Sequence, residues 1–422
     1  NKQHKMAKNQ LHAEKNTETD SFKKRINSVK LTSLLEITKA INSNLPTEGL
    51  FKLYENILVN ELNIGKIALF TYNNDWKCVL KYGIANESED IKIEIDLLKY
   101  KEITEVEVVS SDSSSFETFD IIIPVYHKSQ PLAYLLIGDI DEQKIEISPT
   151  IKHLPFVQTL TNIIIVAIEN KRLVRESLLQ VASRKELELA SEMQNMLFPD
   201  KLPDNNQLSI HAYYQPHHQV GGDYYDFIKL NDYEVVFCVA DVSGKGVSAA
   251  LLMANFQANL RALFKHSTSL TDIIHELNTL VFDNAKGEKF ITIFLARYNL
   301  VTRMLTYINA GHNPPLMICS NTLLQLTTGG IGVGMLPEIP RIREGVVHVS
   351  PQTVLLCYTD GLIEQKNDEG EDFGMDRLIQ IILQSDAPEM KKLNTSIILS
   401  LDKFKQDMSY VDDIALFSCR FL

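Results

Sequence analysis

The chain has 422 residues, of which 45% are apolar and 23% charged, enough for two or three domains with ordinary cores. Its 42 basic and 54 acidic residues leave a net charge of −12, which excludes a nucleic-acid binder that neutralises phosphates with a basic stripe. An anionic substrate stays open, because bound cations can invert a local field.

The five cysteines are scattered, odd in number and without a Cys-x-x-Cys pair, so neither a disulfide framework nor a zinc cluster is expected. No apolar run approaches the roughly 18 residues of a membrane span, and the polar, basic beginning lacks the apolar stretch of a signal peptide. A cytoplasmic protein without a membrane span is the expectation.

Residues 1–27, rich in Lys, Asn, Gln and Glu, read as a polar leader. From Val29 the pattern becomes helical: Leu31, Leu34, Leu35, Ile37 and Ile41 share one face, and Leu50, Leu53, Ile57 and Leu58 repeat it. Strand-like segments follow at Lys66–Tyr72, Trp76–Tyr82, Ile91–Ile95, Val106–Val109, Phe119–Tyr126 and Ala133–Ile140. This order of elements over 28–156 resembles a GAF-type α/β sensor domain, although a PAS-like sensor would read almost the same. Such a domain implies a small-molecule or protein input.

Between Pro155 and Leu197 runs a long stretch without Gly or Pro. Positions 160, 164, 167, 171, 174, 178, 181 and 185 step as a heptad seam does; six of the eight are Leu, Ile, Ala or Val, and Lys171 and Lys185 break it. We read 157–197 as a helical, coiled-coil-like linker, roughly 60 Å long. It either caps its own domain or joins two protomers as a homodimer.

From about Lys185 to Leu422 short, intensely apolar strands end in aspartates: Val235–Ala240 before Asp241 and Thr353–Thr359 before Asp360. Phe290–Tyr298 and Met304–Asn309 read as a hairpin, and helices are predicted near Val247–Phe264 and Leu270–Phe282. The informative strings are Val-Gly-Gly-Asp-Tyr-Tyr-Asp (220–226), Ala-Asp-Val-Ser-Gly-Lys-Gly (240–246), Tyr-Thr-Asp-Gly (358–361) and Val-Asp-Asp-Ile (411–414).

Any one of these aspartates alone would ordinarily be a turn former or helix cap. Several converging in one domain would repel one another, and burying them costs several kcal/mol per ion unless a cation compensates. Oxygen-only ligands suit two Mg²⁺ or Mn²⁺ ions better than zinc. Such a pair can activate a bridging water toward phosphorus. The neighbouring glycines allow the backbone to approach the ions.

These strings are similar to those of the SpoIIE/RsbU-type bacterial serine phosphatases, relatives of the type-2C (PPM) protein phosphatases. Other matching strings are Met193–Pro203, Ala-Ala-Leu-Leu-Met (249–253), Asn-Ala-Gly-His-Asn-Pro-Pro (309–315), Asp-Gly-Leu-Ile-Glu (360–364) and Gly-Glu-Asp-Phe-Gly (370–374). The resemblance covers 185–422 and implies an αββα sandwich with metals at one edge of two sheets, in a chain that is α+β as a whole. It implies that Asp241 bridges both ions with help from the Val242 carbonyl. It places Asp360 and Asp412 on one ion, with Asp413 as the alternative to Asp412. Asp223 would act directly or through water.

The implied activity is hydrolysis of phosphoserine or phosphothreonine on a protein, a STAS-type anti-sigma-factor antagonist, under control of the sensor domain. His312 and Glu364 fall in family strings without an obvious ligand role; His312 is a structural turn or a rim residue. Ala415 departs from the common Thr, and no arginine stands in the motifs to grip a phosphate. Gly-Gly-Asp at 221–223 invites comparison with nucleotide cyclases, but Tyr224 and Tyr225 replace their Glu-Phe. The remaining alternative is a catalytically silent sensor or scaffold.

Overall fold

The structure, a computed structural model, describes residues 28–73, 75–84, 106–108, 119–127, 130–138, 149–319, 322–384 and 389–422. The expected leader 1–27 and the expected strand Ile91–Ile95 lie outside them. The chain divides into two compact units between Gln180 and Val181.

In the first unit, helix α1 (28–42) and helix α2 (Thr47–Asn56), which runs on into a π turn at Ile57–Glu61, precede the sheet. Strands β1 (Lys66–Asn73), β2 (Asp75–Tyr82), β3 (Glu107–Val108), β4 (Ile121–His127) and β5 (Gln130–Gly138) form an antiparallel sheet in the order β2-β1-β5-β4-β3. Of the expected strand 106–109, Glu107 and Val108 pair with β4, and Val109 lies outside the described residues. Alternate residues of β1 and β5 face opposite sides. Ile67, Leu69, Leu135 and Ile137 pack on the helices, whereas Ala68, Phe70, Tyr134 and Leu136 form a second cluster with Phe119 and Ile122.

Helix α3 (Pro149–Asn195) starts ahead of Pro155, where the sequence suggested a boundary. Pro155 is the seventh residue of the helix, past the first turn, so its missing N–H removes one bond of the ladder without ending the helix. Positions along the expected heptad seam meet different surroundings. Leu160 and Ile164 are buried in the first unit's core, and Thr161 bonds the buried Tyr54 hydroxyl at 2.6 Å. Lys171 donates to the Asn44 and Leu45 carbonyls at 3.2 Å, placing a cation just past the C-terminal end of α1. Val174, Leu178 and Val181 are exposed.

The second unit contains two sheets. Strands β6 (Leu208–Gln215), β7 (Tyr224–Lys229), β8 (Glu234–Val242), β9 (Ile291–Asn299), β10 (Met304–Ala310), β11 (Leu316–Cys319), β12 (Thr322–Gln325), β13 (Gly329–Gly330), β14 (Gly345–His348), β15 (Thr353–Tyr358) and β16 (Ile414–Phe421) divide between them. One sheet runs β13-β10-β9-β8-β7 with β14 also on β10; the other runs β12-β11-β15-β16-β6.

The period of two decides the layers. Val235, Phe237 and Val239 of β8 face Cys357, Phe417 and Cys419 of the other sheet, and the Phe237 and Phe417 rings stack with centroids 5.4 Å apart. The odd-out set, Val236, Cys238, Ala240 and Val242, packs on helices α4 (Val247–Leu263) and α5 (Leu270–Ala285) through Met253, Phe256, Ile274 and Leu277. On the outer face of the second sheet, Leu356, Tyr358 and Leu416 pack on α7 (Gly374–Gln384) and α8 (Met390–Lys405). The result is helix, sheet, sheet, helix, the layering expected of the αββα sandwich. A single helical turn, α6 (Asp360–Ile363), follows β15 directly.

Asp226 on β7 is fully buried, yet it holds two hydrogen bonds from Arg261 of α4, at 2.7 and 2.8 Å, and one from the Tyr224 hydroxyl. This pair fastens the outer helix layer to the sheet beside the loop that carries Asp223. Removing one partner would strand a buried charge. Arg261→Ala should therefore lower unfolding free energy by about 3 kcal/mol in denaturant titrations, and adding Asp226→Asn should recover part of that loss.

Candidate metal centre

All the aspartates singled out above come to one end of the sandwich. Asp223 immediately precedes β7 and Asp241 is the penultimate residue of β8; these strands pair with Tyr224 opposite Ala240. Asp360 opens α6 just after β15, and Asp412 and Asp413 precede β16, which pairs with β15 at Tyr358–Leu416. Each sheet thus brings carboxylates to the same end through two adjacent strands.

Close backbone approach holds the loops in place. A Cβ on Gly361 would lie 2.1 Å from the Asp413 carbonyl, and one on Gly221 would lie 2.3 Å from an Asp413 carboxylate oxygen. Only glycine fits either position. The buried Gln194 side chain, from the end of α3, donates to the Gly221 carbonyl at 2.7 Å and accepts from its N–H at 3.1 Å. Phe198, in the 193–203 string, packs on Tyr214, Tyr224 and Tyr225 at centroid distances of 4.8–5.9 Å. That string therefore shapes the seat of Asp223.

The electrostatics are those of crowded anions. Burial raises the Asp223 carboxyl well above its ordinary range, and the charge of Asp241 raises it further, against a hydrogen bond from Thr359. Burial and then the charges of Asp360 and Asp412 push Asp241 up to about 7. Asp360 is raised by burial, Glu364 and Asp412, with the Gly361 N–H and Lys245 opposing. One oxygen of Asp223, Oδ2, is buried without any hydrogen-bond partner. A buried carboxylate oxygen left bare among like charges is a strong demand for a cation.

The two residues of the acidic pair behave differently. Asp413 is buried and uses both oxygens on backbone, accepting from the His217 N–H at 2.7 Å and the Gly222 N–H at 2.6 Å. It pins the loop that leads into Asp223. Asp412 is partly exposed and pairs with the Lys245 ammonium at 2.7 Å. Among the described residues, no three His, Cys, Asp or Glu side chains converge on one point as they stand. The donor chemistry nevertheless fits hard cations: oxygens only, one of them buried and bare, with three carboxyls pushed up first by burial and then by one another's charge.

His312 lies inside the fold rather than on the rim. Its Nδ1 shares a hydrogen bond of 3.0 Å with Thr292, which pairs with Asp241 across β8 and β9, and burial brings its imidazole down to about 4. Its backbone N–H donates to Asn309 Oδ1 at 2.8 Å, which makes the 309–315 string a structural turn beneath Asp241's strand. Ala415 faces the core between the sheets, and its N–H donates to the Thr359 hydroxyl at 2.8 Å. Two contributors escaped the sequence reading: Lys245, whose ion pair spans the loops of both sheets, and Gln194. Lys245 stood in a quoted string, but nothing in the string indicates its reach to Asp412.

Comparison with known proteins agrees with this arrangement. The family model for stage II sporulation protein E (SpoIIE) matches residues 231–422, leaving Asp223 outside the matched stretch. Phosphoserine phosphatase RsbU of Bacillus subtilis is 30% identical over 246 residues, which cover 57% of this chain and 72% of RsbU. The chain belongs to the SpoIIE/RsbU-type PPM phosphatases. It is accordingly a hydrolase of the protein phosphatase class.

Phosphoserine phosphatase RsbP of Bacillus subtilis is 24% identical over 187 residues, 43% of this chain and 46% of RsbP, so the chain spans less than half of that relative. Among solved structures, the SiaA-PP2C domain of Pseudomonas aeruginosa superposes with a TM-score of 0.52 at 19% identity, covering 58% of this chain and 98% of that one. That likeness shows the PP2C-like fold.

If crowding raises these carboxyls, neutralising one should stabilise the metal-free protein. A folded-state value near 7 for Asp241, against roughly 3.9 unfolded, makes the penalty grow as pH rises from about 4 to 7 and stay complete above that. Asp241→Asn should thus raise metal-free stability by roughly 1–3 kcal/mol at pH 8 and by less at pH 5, as measured by denaturant unfolding in chelator.

Proposed function

We propose that the chain is a metal-dependent serine/threonine phosphatase that hydrolyses phosphoserine or phosphothreonine on a protein partner, using two Mn²⁺ or Mg²⁺ ions. One observation carries this reading: two sheets deliver Asp223, Asp241, Asp360 and Asp412 to one end, where an Asp223 oxygen is buried and bare. The phosphoserine phosphatase names of RsbU and RsbP support the substrate class.

Asp241, with the Val242 carbonyl beside it, would hold both ions; Asp360 and Asp412 would hold one of them, and Asp223 would act directly or through water. When bound, the ions supply an activated water and neutralise the phosphate charge. Asp413 positions rather than ligates, because its oxygens are already engaged by the His217 and Gly222 N–H groups. Thr359 steadies the Asp223 carboxyl and, by accepting the Ala415 N–H, ties it to β16.

The partner fits a STAS-type anti-sigma-factor antagonist, the substrate that the family resemblance implies. The first unit serves as a GAF-like sensor for a small molecule or protein, with α3 as the linker. Exposed Val174, Leu178, Leu179 and Val181 on α3 support a homodimer through that helix. Its end touches two parts of the site: Gln194 holds Gly221, and the Leu197 carbonyl accepts from Gln257 of α4 at 3.3 Å. Movement of α3 would therefore shift both the Asp223 loop and the helix that follows Asp241. A silent scaffold is the alternative, and turnover separates the two.

Phosphate release from a phosphoserine peptide should require Mn²⁺ or Mg²⁺. Asp241→Ala and Asp360→Ala should each reduce kcat/KM by about a hundredfold or more. Turnover unchanged in both variants rules the metal reading out. Asp412→Ala should lose activity with little change in stability, whereas Asp413→Ala should also cost about 2 kcal/mol by orphaning two N–H groups.

A chain beginning at residue 185 tests the control model. It should differ from the full chain in dimerisation and in activity; identical behaviour under all conditions would reduce α3 to a spacer.

A further inference from the structure

Lys245 occupies an unusual place for a cation. Its Nζ lies 2.7 Å from Asp412 Oδ2 and donates to the Val411 carbonyl at 2.6 Å, so it reaches from the loop after β8 to the segment before β16. Those are the loops that bring Asp241 and Asp412 to the site from different sheets. Lys245 stands between Gly244 and Gly246, both with positive φ (90° and 73°), and a Cβ at Gly246 would meet nothing within 4 Å. Both partners are partly exposed, with side-chain accessibilities of 43% and 36%, and ion pairs of that kind are weak and easily exchanged.

We propose that Lys245 is a positioning residue that holds the cation place on Asp412 with its own ammonium and yields that place to the metal ion. The inference rests on the two-metal reading of the site. A divalent ion at about 2.1 Å from a carboxylate oxygen carries twice the charge at shorter range than an ammonium, so it displaces Lys245 instead of sharing the oxygen. Until then, the ion pair keeps the two loops together and places a positive charge that opposes part of the repulsion among the neighbouring carboxyls. The lysine thus sets a threshold of metal concentration below which the site stays closed by its own side chain.

The test measures Mn²⁺ affinity of the full chain without substrate, by calorimetry or by the free-ion electron paramagnetic resonance signal. Lys245→Gln should bind Mn²⁺ about three- to fivefold more tightly than wild type, the worth of a partly exposed ion pair. Lys289→Gln supplies the control. Lys289 donates to the Ser243 carbonyl at 3.2 Å in the same loop, so this variant removes the same charge while leaving Asp412 paired. Its affinity should stay within about 1.5-fold of wild type, because Lys289 bonds a backbone carbonyl and no proposed ligand.

An unchanged or weaker affinity in Lys245→Gln overturns the proposal. So does an equal gain in both variants, which would reflect only the general field. Failure of the wild-type chain to bind Mn²⁺ at all would remove the metal reading together with this inference. Loss of phosphatase activity in Asp241→Ala alongside unaltered Mn²⁺ binding in Lys245→Gln would retain the first and reject the second.

Discussion

Mutual repulsion among carboxylates at the shared end of two sheets is the constraint around which the second unit is organised. The groups that surround them answer it in different ways. Asp413 is satisfied by two backbone N–H groups, Asp412 by an ammonium, and Asp223 only in part, by Thr359. What keeps them there is apolar packing further inside: each strand that ends in an acidic residue is anchored by alternate side chains in two separate cores. The stability needed to hold repelling charges is thus generated away from them, the usual arrangement where function strains a fold.

Much of this was readable from sequence because strand and charge coincide there. Val235–Ala240 before Asp241 and Thr353–Thr359 before Asp360 are apolar runs too short for helices, and both proved to be central strands of the sandwich. The helices at Val247–Leu263 and Leu270–Ala285 followed from 3.6-residue periodicity. The acidic pair at 412–413 could not be separated. Adjacent residues differ in direction, and only tertiary partners reveal that one faces the His217 and Gly222 N–H groups and the other faces Lys245. Arg261 and Asp226 are likewise joined only by the fold, since neither residue type announces a partner at that separation.

Ala415 departs from a family string at a position whose polar contact is made by the backbone. Its side chain fills space between the sheets, and the interaction that matters at that position comes from its backbone, which donates to Thr359. The heptad pattern in α3 carries a related lesson. Lys171, which interrupts the seam, is explained by two carbonyls at the end of α1, while Leu160 and Ile164 in the same pattern belong to the core of the first unit. One periodicity therefore records two environments, and no count of matching positions distinguishes them.

The stacked Phe237 and Phe417 rings lie between the sheets, on the strand that carries Asp241 next to its end and the strand that begins just after Asp413. Because the proposed ligands are divided between those sheets, the rings act as the spacer of a caliper whose jaws are the two loop pairs. A change in ring thickness or tilt would alter the gap at the jaws while every ligand remained chemically intact. Metal preference in such a site would then be tunable from the middle of the sandwich, through the width of an apolar layer that no ion ever touches.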